Sequence, residues 1–233
     1  MTTTPTGTAV GHKVPRSDAK GKVSGDATYA ADLQIDGILW AKTVRSPYPH
    51  ARIVSIDASA ALALPGVRAV VTGDDLPANS MWGRRIVDVP LLAQGVARFA
   101  GEQVAAVVAD DEETAQRGAD LIDVAYKELP AVLDAEAAME ADSPLVHPDV
   151  QEIKGMFYEM PKAQNHFVVW DWLNGDLEQG FKDADLIIEN TYTTPNVHQV
   201  YLEPHNQVTT IDDHGVMHVW APCKAPYSAR KQT

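Results

Sequence analysis

A single cysteine, Cys223, stands in 233 residues. One thiol forms no internal disulfide and supports no all-cysteine zinc or iron–sulfur site, so a reducing, cytoplasmic setting is expected. Long apolar runs are also missing. No stretch reaches the roughly 18 apolar residues of a membrane-spanning helix, and the opening MTTTPTGTAVGHKVPRS lacks the apolar core of a signal peptide. We therefore expect neither a membrane span nor a targeting segment. Basic charge is scarce: 19 Lys and Arg face 32 Asp and Glu, for a net charge of −13. With no Lys/Arg run to follow a phosphate backbone, nucleic acid is not an expected partner, and the acidic surface reads as a solubility feature.

What is present suits a globular protein: 45% hydrophobic and 22% charged residues over a length that fits one large or two modest domains. Residues 1–12 are rich in Thr and Gly and read as a mobile tail. Residues 14–25 mix breakers and charges and read as an irregular lead-in. Ile38 to Arg45 reads as a strand ending at Ser46-Pro47-Tyr48-Pro49, where two prolines force an extended connection. Arg52–Asp57 is a second strand, Ala60–Leu64 a short helix stopped by Pro65-Gly66, and Val67–Thr72 a third strand. Residues 74–100 lack clean periodicity and read as a long functional or partner-facing loop. Val104–Ala109 is wholly apolar, as suits a buried central strand. Asp110 and Asp111 open a helix whose apolar positions Ala115, Ala119, Ile122 and Tyr126 recur at helical spacing, with its end expected before Leu129-Pro130. Gly101-Glu102-Gln103 reads as a plain strand-entry turn.

The character of the chain changes at residue 134. A short acidic helix, Asp134–Glu140, and the proline-framed Ser143–Pro148 mark a linker over 134–164, in which His147 reads as a surface or packing residue. Beyond it, Asn174-Gly175-Asp176 caps a one- or two-turn helix through Phe181, and Asp185–Thr193 reads as a strand. Val208–Ile211 and Val216–Trp220 flank Asp212-Asp213-His214-Gly215, a hairpin signal, and Tyr227–Thr233 reads as the start of a helix.

His198, Glu203 and His205 have the chemistry of metal ligands. On a regular strand, however, Glu203, His205 and Gln207 point to one face and His198 and Val200 to the other, and Pro204 interrupts the ladder. These residues are therefore expected to be structural, with no metal site and no catalytic residue assigned.

The ordered segments Val14-Pro15-Arg16, Lys22–Asp32, Val44–Ile53, Leu64–Val67, Val71–Asp75, Gly101–Ala105, Ala125–Val132, Leu145–His147, Gly175-Asp176 and Tyr201–His205 together resemble the molybdenum-binding subunit of the xanthine dehydrogenase/aldehyde oxidase family. The resemblance implies an α/β (α+β) fold, with an α/β hammerhead domain over 13–133 followed by the beginning of a mixed α/β molybdopterin-binding domain over 165–233. It implies a molybdenum–pterin cofactor, in the cytosine dinucleotide form and shared with a partner chain, that oxidises or reduces aromatic heterocycles, aldehydes or aryl thioesters. Partners implied are the remaining molybdenum-subunit chain, an iron–sulfur subunit holding 2Fe-2S clusters and a FAD subunit. The family commonly has Trp-Ser-Ser-Thr-Gln-x-Pro where this chain has Trp220-Ala221-Pro222-Cys223-Lys224-Ala225-Pro226. Its glutamine hydrogen-bonds a molybdenum oxo ligand; Lys224 occupies that position and is the candidate cofactor contact, able to donate but not to accept. The chain is thus expected to be inactive alone, with a non-catalytic scaffold of the same fold as the alternative.

Overall fold

The computed structural model describes residues 11, 13–77, 80–83, 86–148, 165–166 and 172–232. The expected tail (apart from Gly11) and most of the expected linker past Pro148 lie outside the described residues. Packing divides the chain into two compact units: the described residues of Met1–Asp36 with Asn196–Ala229, and those of Gly37–Pro195 with Arg230–Thr233.

The second unit is built on strand β7 (Gln103–Ala109), which lies between β1 (Trp40–Arg45) and β3 (Val67–Thr72) in an antiparallel sheet. Val107 sits opposite Lys42 on one side and Val70 on the other. The unbroken apolar run fits this position, since a strand with neighbours on both edges keeps little contact with water: Val104, Ala105, Val107 and Ala109 are fully buried. Helix α3 (Glu112–Asp120) packs against β1 and β7 and against the short helix α2 (Ser59–Leu62). Asp111 caps it, its carboxylate accepting the Thr114 amide at 2.7 Å. The buried face of α3 is Ala115, Gly118 and Ala119. A Cβ at Gly118 would lie 2.8 Å from a Val107 methyl and 3.2 Å from one of Val67, so glycine sets how closely helix and sheet approach. Exposed ion pairs rim this contact, Arg68–Asp110 in a two-pronged geometry at 2.6 and 2.8 Å and Lys42–Glu112 at 2.6 Å.

A second antiparallel sheet places β2 (Ala51–Asp57) between β6 (Val96–Ala97) and β8 (Asp123–Glu128), with Ala51 and Ala97 fully buried. Here one expectation is corrected. The helix after β7 stops at Asp120, where Leu121 and Ile122 hydrogen-bond back to Gly118 and Ala119 in tight i to i−3 turns, and β8 follows. Ile122, Val124 and Tyr126 are partly buried while Asp123 and Ala125 are exposed; that period of two belongs to a strand face. The 74–100 region is likewise more ordered than a loop. It contains a 3₁₀ turn at Gly73–Asp75, the short pair β4 (Met81–Trp82) and β5 (Val89–Pro90), and β6. Two-residue strands carry no readable periodicity.

The lead-in holds helix α1 (Ala19–Ser24), closed by Gly25 at φ 81°; its breakers hid a helix rather than excluding one. Past the linker helix α4 (Ala135–Ala138), α5 (Leu177–Asp183) is capped by Asp176, as its turn signal predicts. Asp185–Thr193 forms no ladder: among the described residues it has no strand partner, which corrects the strand reading. The hairpin of β9 (Val208–Ile211) and β10 (Met217–Trp220) turns at Asp212, which accepts the amides of His214 and Val216 at 2.9 Å each. Helix α6 (Pro226–Gln232) follows.

Candidate functional site

The Lys224 segment leaves β10 as Ala221-Pro222-Cys223 and enters α6 at Pro226. Two prolines lack the amide donors of a ladder, and the segment between them is irregular. Lys224 and Cys223 are exposed, and Lys224 makes no hydrogen bond or ion pair with any described residue. Its ammonium is thus available to an oxygen-rich group such as an oxo ligand or a phosphate.

The His198–Gln207 stretch is not a strand, which corrects the geometry expected of it. Val200 adopts φ 50°, in the left-handed region that a β-branched residue rarely enters, and Pro204 lacks an amide donor. The Val200 amide donates to His198 Nδ1 at 3.0 Å. Tyr201 packs between two imidazoles, its ring 5.2 Å from that of His198 and 5.0 Å from that of His205, the latter stacked. Among the described residues no group of three His, Cys, Asp or Glu side chains is placed to hold a metal ion. The neighbouring Asn206 has a buried side-chain oxygen with no hydrogen-bond partner.

A molybdenum–pterin group would offer oxo and phosphate oxygens to a donor and ring N–H groups to an acceptor. Lys224 fits the first role, and the orphaned Asn206 oxygen the second. No glycine-rich backbone cradle occurs between Lys224 and Thr233. Each of these residues, taken alone, has the chemistry that such a group needs.

A second polar centre lies where β1 turns into β2. The Ser46 amide donates to the Glu102 carbonyl, and the Gly101 amide to the Ser46 carbonyl, both at 2.8 Å, while Arg45 Nη1 donates to the Gly101 carbonyl at 2.8 Å. Gly101, at φ 92°, makes the turn into β7 expected of it. The Glu102 side chain, 4% exposed, accepts the Arg98 amide. Burial pushes its pKa up, opposed by the Arg98 amide, the Arg98 guanidinium and the Phe99 amide. The Tyr48 and Tyr126 rings meet at 5.3 Å, and burial raises the pKa of the Tyr126 phenol. This centre pins the corner together.

Asn165 carries no sequence signal, yet its side chain joins four backbone and side-chain groups of the preceding segment. Its oxygen accepts the Val146 amide at 3.0 Å, and its amide nitrogen lies 3.1 Å from the Ala138 carbonyl, 2.9 Å from that of Pro144 and 3.4 Å from the Ser143 hydroxyl.

The fold, with its antiparallel sheets and small helices, is that of the molybdenum hydroxylases. Carbon monoxide dehydrogenase from Oligotropha carboxidovorans superimposes with a TM-score of 0.82 at 33% identity, over 95% of this chain and 28% of that one. The sequence matches the aldehyde oxidase and xanthine dehydrogenase a/b hammerhead domain over residues 24–130 and the molybdopterin cofactor-binding domain over 158–233. The chain belongs to the xanthine dehydrogenase/aldehyde oxidase family of molybdopterin-binding subunits, as its residues suggest. Among curated relatives, the nicotinate dehydrogenase large molybdopterin subunit of Eubacterium barkeri is 32% identical over 95% of this chain and 49% of its own length. A probable xanthine dehydrogenase subunit of Bacillus subtilis (strain 168) is 35% identical over 93% of this chain and 27% of its own. The chain therefore spans between about a quarter and a half of the length of these two relatives.

Proposed function

We propose that this chain is the hammerhead and first molybdopterin-binding portion of a molybdenum-dependent hydroxylase or dehydrogenase complex. The observation that carries the reading is the superposition over 95% of the chain on a molybdenum enzyme at TM-score 0.82, together with the two matched domains. The hammerhead domain is assigned to 13–133, the linker to 134–164 and the cofactor-binding portion to 165–233. The cofactor is a molybdenum–pterin in its cytosine dinucleotide form, which supplies oxygen-atom and two-electron chemistry at the metal when bound. This chain's part is to wall and orient it: Lys224 donates to an oxo or phosphate oxygen, and Asn206 accepts from a ring N–H. The rest of the molybdenum subunit completes the site. Electrons leave through 2Fe-2S clusters and FAD on partner subunits, since Cys223 alone cannot hold a cluster. The substrate class is an aromatic heterocycle, aldehyde or aryl thioester, and the complex works in the cytoplasm; among the described residues no helix is long and apolar enough to cross a membrane.

A second reading, a non-catalytic scaffold of the same fold, draws on Lys224 itself. It replaces a glutamine by a residue that cannot accept a hydrogen bond, and its side chain is exposed. Native mass spectrometry of the protein purified from its own cells separates the two. Co-elution with iron–sulfur and flavin chains supports the enzyme complex; a lone 25.3 kDa species supports the scaffold.

A further inference from the structure

We propose that Asn174-Gly175, the turn that enters α5, is a self-modifying site at which the asparagine is converted to aspartate and isoaspartate through a cyclic imide. The main-chain nitrogen of Gly175, once it gives up its proton to hydroxide, attacks the side-chain carbonyl carbon of Asn174. A carbon–nitrogen bond forms, the bond to the side-chain nitrogen breaks, and ammonia leaves. Water then opens the imide ring at either carbonyl, giving aspartate or the isomer whose backbone runs through the side chain. The sum consumes one water and releases one ammonia, with no oxidant or reductant.

Selectivity follows from what stands beside each asparagine. The chain has six, and only Asn174 is followed by glycine. Glycine has no Cβ to crowd the attacking nitrogen, and Gly175 stands at φ 78°, in the left-handed region that other residues rarely enter. Asn174 and Gly175 are both exposed, so water reaches the ring and the leaving ammonia. Asn190 and Asn196 are exposed as well, but precede Thr191 and Val197, whose branched side chains shield the amide. The Asn165 side chain is tied to Val146, Ala138 and Pro144, and the Asn206 oxygen is buried. Asn79 precedes Ser80 and lies outside the described residues. The change falls where it is felt, because Asp176, the residue after Gly175, caps α5 by accepting the Gln179 amide at 2.9 Å. Isoaspartate lengthens the main chain by a methylene just ahead of that cap, and either product adds a negative charge to a chain of net charge −13. The first turn of α5 therefore loosens as the chain ages.

The test incubates the full 233-residue chain in mildly alkaline buffer and follows its proteolytic peptides by mass spectrometry, with isoaspartate counted by an isoaspartyl methyltransferase. The expected result is a gain of about one dalton on the Asn174 peptide, faster at higher pH, with methyl incorporation on the same peptide. Asn174→Gln, which would need a larger ring, loses both signals, and Gly175→Ala slows them. In the aged parent the Gln179 amide exchanges faster than in fresh protein, while exchange in β7 does not change. An unchanged Asn174 peptide, the same mass gain in Asn174→Gln, modification that favours Asn190 or Asn196, or unchanged exchange at Gln179 would each overturn the proposal.

Discussion

The Glu102 carboxylate accepts the main-chain amide of Arg98, four residues earlier, and does so almost wholly shielded from water. Burial raises the Glu102 pKa in the folded chain above its unfolded value, so the native state holds the proton more tightly than the unfolded one. The stabilisation is therefore present in acid and is lost as pH rises from the ordinary carboxylate range through the folded pKa. Denaturant titrations at several pH values are expected to show this decline in the parent and a flatter profile in Glu102→Gln, which keeps an acceptor oxygen without charge. Glu102→Ala, which leaves the Arg98 amide buried and unpaired, is expected to cost about 1–3 kcal/mol.

Gly118→Ala is expected to destabilise the hammerhead region by about 1–2 kcal/mol, because overpacking at the Val107 and Val67 methyls exceeds the gain in helix propensity. The check is a lower urea midpoint with an unchanged m value; a midpoint at or above that of the parent would show that α3 can move off the sheet without cost.

Asn165→Ala removes the acceptor of the Val146 amide and the donor to Ala138 and Pro144 at once. Faster hydrogen exchange at Val146 and earlier proteolysis within 138–146 are expected, with exchange in β7 unaffected.

Lys224→Ala in the assembled complex is expected to lower cofactor retention, read as released pterin per chain after gel filtration, and Lys224→Arg to restore it in part because the cation is kept. Retention equal to the parent's would make Lys224 a bystander and favour the scaffold reading.

Much of this is legible in the sequence where the signal is local. The apolar run 104–109, the Asp111 and Asp176 caps and the Asp212–Gly215 turn carry their structure within a few residues, and the structure has each of them. The errors arise where distant partners decide. Tyr126 satisfies a helical period and a strand period alike, and pairing with Ile53 of β2 selects the strand. Asp185–Thr193 has the composition of a strand but no partner among the described residues to make it one. Strand alternation fails along His198–Gln207 because a left-handed Val200 abolishes it. At the candidate site Lys224 stands out by comparison with a family pattern, whereas Asn206 and Asn165 matter through burial and contacts that no spacing announces.

The most direct measurement is the molybdenum and pterin-nucleotide content of the complex purified from the protein's own cells. If this chain walls the cofactor, the complex holds close to one molybdenum and one pterin dinucleotide per copy of the chain. A stable complex that contains this chain and neither molybdenum nor pterin would contradict that role.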